Sequence, residues 1–280
     1  MSNINSVFRA FRISCPKSMV SNYIDSADRI LFCKTFFVNK LIVGSFFSCI
    51  YNGKLRIHSI LNEETNAFNK EISELVEKSM EKSGISYGMV WVRNANKSLI
   101  AYLGNVFVIT PDPEQFFYYS TEYIMYQSKF NKKFDSTVLA VKPYEEIHID
   151  KYLHLLNDAM SFFIPPEDFV HQKSHYLKEF LNFKNKNTFE AFWKGDELVG
   201  LYWIVGTEVD TMAVSSSFQR SGYGSEILTR AIENVFLQNP ETEYALLYAV
   251  GWNAKAQNFY KKYGMEINAQ YKVPYVEEKR

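Results

Sequence analysis

Residues 214–225, VSSSFQRSGYGS, hold the densest chemistry in this chain of 280 residues. A strand-like apolar run ends at Val214, glycines follow at 222 and 224, and a strongly helical stretch starts near Tyr223. Glycine lets the backbone approach a ligand with no side chain between them, and the first N–H groups of a helix have no partner inside it. A junction of this kind is built for an anion: the amides from Gln219 through Ser221, Gly222, Tyr223 and Gly224 form a cradle, the helix dipole favours negative charge, and Arg220 adds a local cation. A dinucleotide fingerprint needs a third glycine where Ile227 stands, and a P-loop needs a Gly-Lys-Ser/Thr ending that is missing. Taken alone, the same residues also fit a glycine-softened turn that holds nothing.

Proton-transfer groups lie close by in sequence. Counting back along the strand, Glu208 and Asp210 share a face with Met212 and Val214, so a carboxylate stands a few residues from the glycine turn. His171 and His175 are four apart, as a helical metal pair would be, but Gln172 replaces the glutamate of HExxH and nothing nearby supplies further ligands. They read as surface or acceptor-cleft residues. His58, His148 and His154 form no constellation, and no metal site is expected. Cys15, Cys33 and Cys49 are odd in number and lack CxxC spacing, which fits reduced, packed thiols.

These groups need a scaffold, and the chain can build one. Its apolar fraction of 47% supports sizeable cores, and 31 basic residues balance 31 acidic ones, so net charge draws it toward neither nucleic acid nor an anionic membrane. No apolar run reaches bilayer length, and the sequence reads as cytoplasmic. STVLAVKPY (136–144) alternates like a strand, and 148–160 places Ile149, Tyr152, Leu153, Leu156 and Met160 on one helical face. A second helix follows Pro165-Pro166, with Phe169, Val170, Tyr176, Leu177, Phe180 and Leu181 on its apolar side. Three strands come next: two around Lys194-Gly195-Asp196, the third ending at Val214. The Tyr223 helix stops before Asn239-Pro240, then come the strand YALLYAV (244–250), a short helix from Asn253 to Gly264, and a last strand pair over roughly 265–276.

The first half repeats this order in weakened form. FFVNKLIVGSFFSCI (36–50) aligns with FWKGDELVGLYWIVG (192–206), placing Gly44 over Gly200. A helix carrying Phe68, Ile72, Leu75, Val76 and Met80 then matches the Tyr223 helix, and YGMVWV (87–92) matches YALLYAV. Two related domains, 1–130 and 137–280, are expected, joined through the polar run QSKFNKKFDS. At the position of QRSGYG the first copy has Asn62-Glu-Glu-Thr-Asn-Ala67, with no glycine and two carboxylates that would repel a pyrophosphate.

The run Gln219-Arg-Ser-Gly222-Tyr-Gly224 resembles the Gln/Arg-x-x-Gly-x-Gly signature of the GCN5-related N-acetyltransferase (GNAT) family, and Asn253-x-x-Ala256-x-x-Phe259-Tyr260-x-x-Tyr263-Gly264 resembles that family's last-helix segment. Ser216 stands where a proline is common, and Arg220-Ser221 replace a common Gly-Lys pair. The resemblance covers 137–280 and implies an α/β (α+β) fold: a tandem of GNAT-like domains, each a mixed, mostly antiparallel sheet flanked by helices, the first degenerate. It implies acetyl-coenzyme A (acetyl-CoA) as acyl donor, its pantetheine along Met212, Ala213 and Val214. Its pyrophosphate would rest on Gln219, Arg220, Ser221, Gly222, Tyr223, Gly224 and Ser225, with Asn253, Ala256 and Tyr260 completing the coenzyme site. It implies that the Val214 N–H holds the oxyanion, that Tyr260 protonates the leaving thiolate and that Glu208 is the base, with Asp210 as fallback. The expected function is acetyl transfer to a primary amine of a small molecule by direct attack in a ternary complex. The alternative is a non-catalytic acyl-coenzyme A sensor or interaction module. The acceptor and the oligomeric state are not readable from the sequence.

Overall fold

The structure, a computed structural model, describes residues 29–51, 53–110, 119–135, 137–161, 168–273 and 275–279. Cys15 and Pro165-Pro166 lie outside them. The elements of the first half are β1 (Arg29–Val38), β2 (Leu41–Tyr51), β3 (Lys54–Leu61), α1 (Asn66–Ser83), β4 (Tyr87–Arg93), α2 (Lys97–Val106), β5 (Phe107–Thr110) and β6 (Tyr119–Tyr126). The second half continues with β7 (Ala140–Pro143), α3 (Ile149–Ala159), α4 (Lys173–Asn185), β8 (Phe189–Lys194), β9 (Glu197–Val205) and β10 (Glu208–Val214). It ends with α5 (Tyr223–Gln238), β11 (Tyr244–Val250), α6 (Ala254–Tyr263), β12 (Glu266–Lys272) and β13 (Tyr275–Glu278). None of the described helices is long and apolar enough to cross a membrane.

The chain forms two compact units that are not contiguous in sequence. The first takes the chain up to Glu122 together with Ala249–Ala254 and Ile267–Arg280, and the second takes Tyr123–Tyr248 and Lys255–Glu266. In the first unit β1, β2 and β3 run antiparallel, α1 crosses over, and β4 returns parallel to β3. Spacings of four put Ile72, Val76 and Met80 of α1 into a core with Phe46, Ile57, Val90 and Val92. Thr65 caps α1 by accepting from the Phe68 N–H at 3.1 Å, and Gly84 ends it at φ 73°. The sequence reading passed over α2, although Leu99 and Leu103, both wholly buried, carry the helical spacing. The last two strands do not pair with each other as expected: β12 pairs β4, and β13 lies between β4 and β5.

In the second unit β8, β9 and β10 form the antiparallel meander, with Gly195 at φ 60° in the first turn. The helices α3 and α4 cover one face, where Tyr152, Leu153, Leu156 and Phe180 pack on Phe189, Leu201, Trp203 and Ala213. The helix α4 begins at Lys173, and Leu181, expected on its apolar side, is exposed while Phe180 is wholly buried. On the other face Arg230 of α5 grips Glu190 of β8 with Nε at 2.9 Å and Nη2 at 2.8 Å, and Tyr202 of β9 donates to the same carboxylate. That network fixes α5, and therefore the turn at its head, against the sheet.

Candidate functional site

The site is organised by two strands that part company. β10 and β11 run parallel but share one register pair, Glu208 with Leu246, beyond which β10 continues to Val214 without β11 beside it. Ser215 donates its N–H to Val199 of β9 at 2.9 Å. Because N–H directions alternate along a strand, the N–H groups of Val214 and Met212 point the other way, into the opening. Two backbone donors thus line a wedge with no strand left to accept from them.

At the head of the wedge the chain makes its turn. Arg220 sits at φ 62° and Gly222, at the N-cap of α5, at φ 91°. Left-handed backbone at a non-glycine residue costs free energy, so Arg220 marks a turn held in shape by its surroundings. Among the described residues no acceptor takes the backbone N–H of Arg220, Ser221, Gly222, Tyr223 or Gly224, whereas Ser225 donates to the Gly222 carbonyl at 2.9 Å. The two glycines differ. A side chain at Gly222 is strained by conformation, but at Gly224 a Cβ would make only ordinary contacts, 3.6 Å from Phe259 and 3.8 Å from Val214. The fold gives no reason for glycine at 224.

Other side chains brace or charge the turn. Gln219 turns back and donates from Nε2 to the Val214 carbonyl at 3.1 Å. The Ser216 N–H donates to Asp158 of α3 at 3.1 Å, and the Lys194 ammonium lies 5.8 Å from the Tyr223 ring. The sequence reading did not name Asp158 and gave Lys194 only as part of a turn between strands. On α6, Tyr263 is tied to Thr229 of α5 by a 2.7 Å hydroxyl pair, which anchors the helix carrying Tyr260. Tyr260 is buried; desolvation, with a smaller contribution from Tyr123, pushes its phenol up to about 12. The Tyr123 ring lies 5.5 Å from it and its hydroxyl reaches Gln257, two further residues the sequence reading did not single out. Ser225, Ala256 and Tyr260 fall in the second unit with the turn, while Asn253 falls in the segment counted with the first.

The carboxylates come out differently from the strand count. Glu208 pairs Val205, Thr211 pairs Trp203 and Met212 pairs Tyr202, with a bulge between Val209 and Thr211. The extra residue is Asp210, which shifts the alternation by one. Glu208, Asp210, Thr211 and Ala213 therefore lie on the α3 and α4 face, and Met212 and Val214 lie on the α5 face. The expected sharing of one face by Glu208, Asp210, Met212 and Val214 does not occur. Asp210 accepts from Trp203 Nε1 at 2.7 Å; crowding by protein raises its carboxyl above the usual range although its edge meets solvent, and the hydrogen bonds from Trp203 and Thr211 oppose that rise. Glu179 of α4 is raised too, by burial and by the Asp210 charge, with His175 opposing at 3.4 Å. His171 lies in the turn before α4 and contacts Asp168 at 2.6 Å, so the two histidines do not sit together on one helix; both are exposed, in keeping with the surface reading of them. No group of three or more metal-ligating side chains converges among the described residues. Burial pushes the Cys33 thiol up to about 11, and Cys49 is buried.

Comparison with known proteins matches residues 150–265 to the acetyltransferase (GNAT) family. No curated protein matches the chain. Among solved structures, the fold is similar to a GCN5-related N-acetyltransferase from Sphaerobacter thermophilus, with TM-score 0.61 and 10% identity over 94% of this chain and 86% of that one. It is also similar to a tandem GNAT protein from the clavulanic acid biosynthesis pathway, with TM-score 0.59 and 8% identity over 99% and 97% of the two chains. A third is a GNAT-family acetyltransferase from Colwellia psychrerythraea, with TM-score 0.54 and 15% identity over 97% of each chain.

Proposed function

Because residues 150–265 form a GNAT-family domain, we propose that the chain transfers acetyl from acetyl-CoA to a primary amine of a small molecule, by direct attack with both reactants bound. One observation carries this reading: the wedge opened where β10 and β11 separate ends at a turn whose N–H groups, Arg220 to Gly224, have no acceptor among the described residues. The pyrophosphate rests on those amides and on Ser225, with Arg220 and Lys194 supplying positive charge. Pantetheine lies along Met212, Ala213 and Val214, where the inward N–H groups of Met212 and Val214 are donors for the thioester oxygen as it becomes an oxyanion. Ala256 and Tyr260, with Asn253, complete the coenzyme contacts. Glu208 takes the proton of the attacking ammonium, with Asp210 as the second candidate on the same face.

Tyr260 is the acid for the departing thiolate. Its raised pKa keeps it protonated at neutral pH, yet a phenol near 12 gives its proton to a weaker base only at an energetic cost. That second consequence favours an alternative, an acyl-coenzyme A sensor without turnover.

The first unit is read as a degenerate copy that binds no coenzyme, and 1–130 and 137–280 as the two copies. Gly44 and Gly200 hold the same place: each faces the last residue of the following strand, and a Cβ there would lie 2.7 Å from the Ile60 carbonyl or 2.6 Å from the Ala213 carbonyl. In the first unit β3 and β4 stay paired from Arg56 with Met89 to Ser59 with Val92. Both backbone groups of Leu61, the counterpart of Val214, are taken by the Asn96 side chain, at 3.1 and 2.7 Å. Glu64 occupies the head of α2, accepting from Leu99 at 2.9 Å. Calorimetric titration with acetyl-CoA tests the whole reading: one site per chain and amine-dependent thiol release are expected. Two sites would end the degenerate-copy reading, and no binding would end the coenzyme reading.

A further inference from the structure

The last turn of α3 carries a residue in the wrong place for its helix. Asp158 is the penultimate residue of α3, at the negative end of the dipole, where a carboxylate is disfavoured. Its side chain compensates by reaching out of the helix: Oδ2 accepts the backbone N–H of Ser216, the first residue after the β10 strand end and its Ser215 link, at 3.1 Å. The preceding residue acts in the same manner, since Asn157 Oδ1 accepts from the Phe169 N–H at 2.8 Å and so holds the chain that leads into α4. Two consecutive side chains at one helix end thus fasten the segment that follows β10 and the segment that leads into α4.

We infer that Asp158 is a positioning residue for the coenzyme turn, acting through the Ser216 N–H; this rests on the proposed coenzyme site. The turn needs such a tie. The segment's own backbone bonds end at Gln219: Phe218 and Gln219 donate to Ser215 and Ser216, whereas five successive amides from Arg220 to Gly224 are left without acceptors among the described residues, so the glycine turn keeps its place through what holds the residues before it. Gln219 fastens its far part to Val214, and Asp158 fastens its near part to α3. The identity of residue 216 follows from the same contact. Ser215 already has the ψ of 138° that a residue before proline prefers, but a proline at 216 has no N–H to give Asp158. Serine at 216 and aspartate at 158 are therefore one device.

A double-mutant cycle on the full chain tests this, with acetyl-CoA affinity and amide exchange across 216–224 as separate readouts. Asp158→Ala is expected to weaken acetyl-CoA binding about tenfold, the low end for one lost charge-assisted hydrogen bond, and to speed exchange in the turn. Turnover at saturating coenzyme should not change, which a general loss of folding would not produce. Asp158→Asn, which keeps an acceptor oxygen, should fall between. In a Ser216→Pro background Asp158→Ala should have no further effect on either readout. Equal effects of Asp158→Ala in both backgrounds, or no effect in either, would overturn the assignment. If the unmodified chain bound no acetyl-CoA, the coenzyme reading would fall while the exchange data still decided whether Asp158 holds the turn.

Discussion

At the scale of single residues, the second unit holds an unusually weak phenolic acid and, on another element, unusually weak carboxylic acids. Tyr260, Tyr263 and Tyr152 are all pushed up to about 12 by burial. A phenol raised in the folded state favours its protonated form there, so its stabilising effect is complete below the unfolded value near 10 and is lost as pH rises toward 12. Urea titrations at increasing pH should show stability falling above about pH 10, by up to roughly 1.4 kcal/mol per pH unit for each phenol. Tyr260→Phe should lower turnover roughly 10²- to 10⁴-fold while acetyl-CoA affinity stays the same. Unchanged turnover would mean that another group supplies the proton, whereas acetyl-CoA binding without turnover in the unmodified chain would support the sensor. Asp210 has the same sign in a lower pH window. Its raised carboxyl is protonated more readily folded than unfolded, so its favourable contribution exists at low pH and disappears as pH rises through the folded value. At neutral pH Asp210→Asn, which keeps an acceptor for Trp203, should therefore leave stability equal or higher. If Asp210 rather than Glu208 is the base, the same change removes the acid limb of the rate profile, and rate against pH distinguishes the two.

At the scale of elements, two glycines two positions apart are held for different reasons, and substitution should separate them. Gly222→Ala forces a side chain into φ 91° and should cost about 1 kcal/mol of stability as well as coenzyme affinity. Gly224→Ala meets nothing closer than 3.6 Å in the protein, so the melting temperature should hold while acetyl-CoA binding falls, because only the ligand needs that space. A fall in both, or in neither, would mean that the anion lies elsewhere. Much of this element was legible in sequence: glycine spacing gave the turn, and apolar spacing gave α5 from Tyr223 to Gln238. The side on which Glu208 lies was not, because a bulge leaves no mark in a strand's alternation until its partner's register is known. Asp158 was equally hidden, since 58 residues separate it from the backbone it holds. Local periodicity carries no information about such a contact.

At the scale of the whole molecule, sequence order and compact unit diverge. The C-terminal segment belongs to the first unit, where Tyr271, Val273 and Val276 are all wholly buried and Val276 joins the core formed by Phe46, Ile57 and Val90. β13 lies between β4 and β5, Val276 opposite Gly88 on one side and Ile109 on the other, so among the described residues β5 has its only ladder with it and β4 has part of the ladder on the edge away from β3. Val276 lies 188 residues from Gly88 and 167 from Ile109, and no window of local pattern could assign such a strand. Its removal has a definite expected outcome. Val276→Asp places a charge where exposure is 0%, and should destabilise the first unit by several kcal/mol, enough to unfold an average domain of this size. Amide exchange should then rise through β4 and β5 together, since losing the strand between them exposes both edges. A fragment of residues 1–130 should likewise fail to fold alone and should regain β4 protection when residues 267–280 are attached through a flexible linker. Full protection in the unsupplemented fragment would mean that the first unit is complete without its borrowed strands.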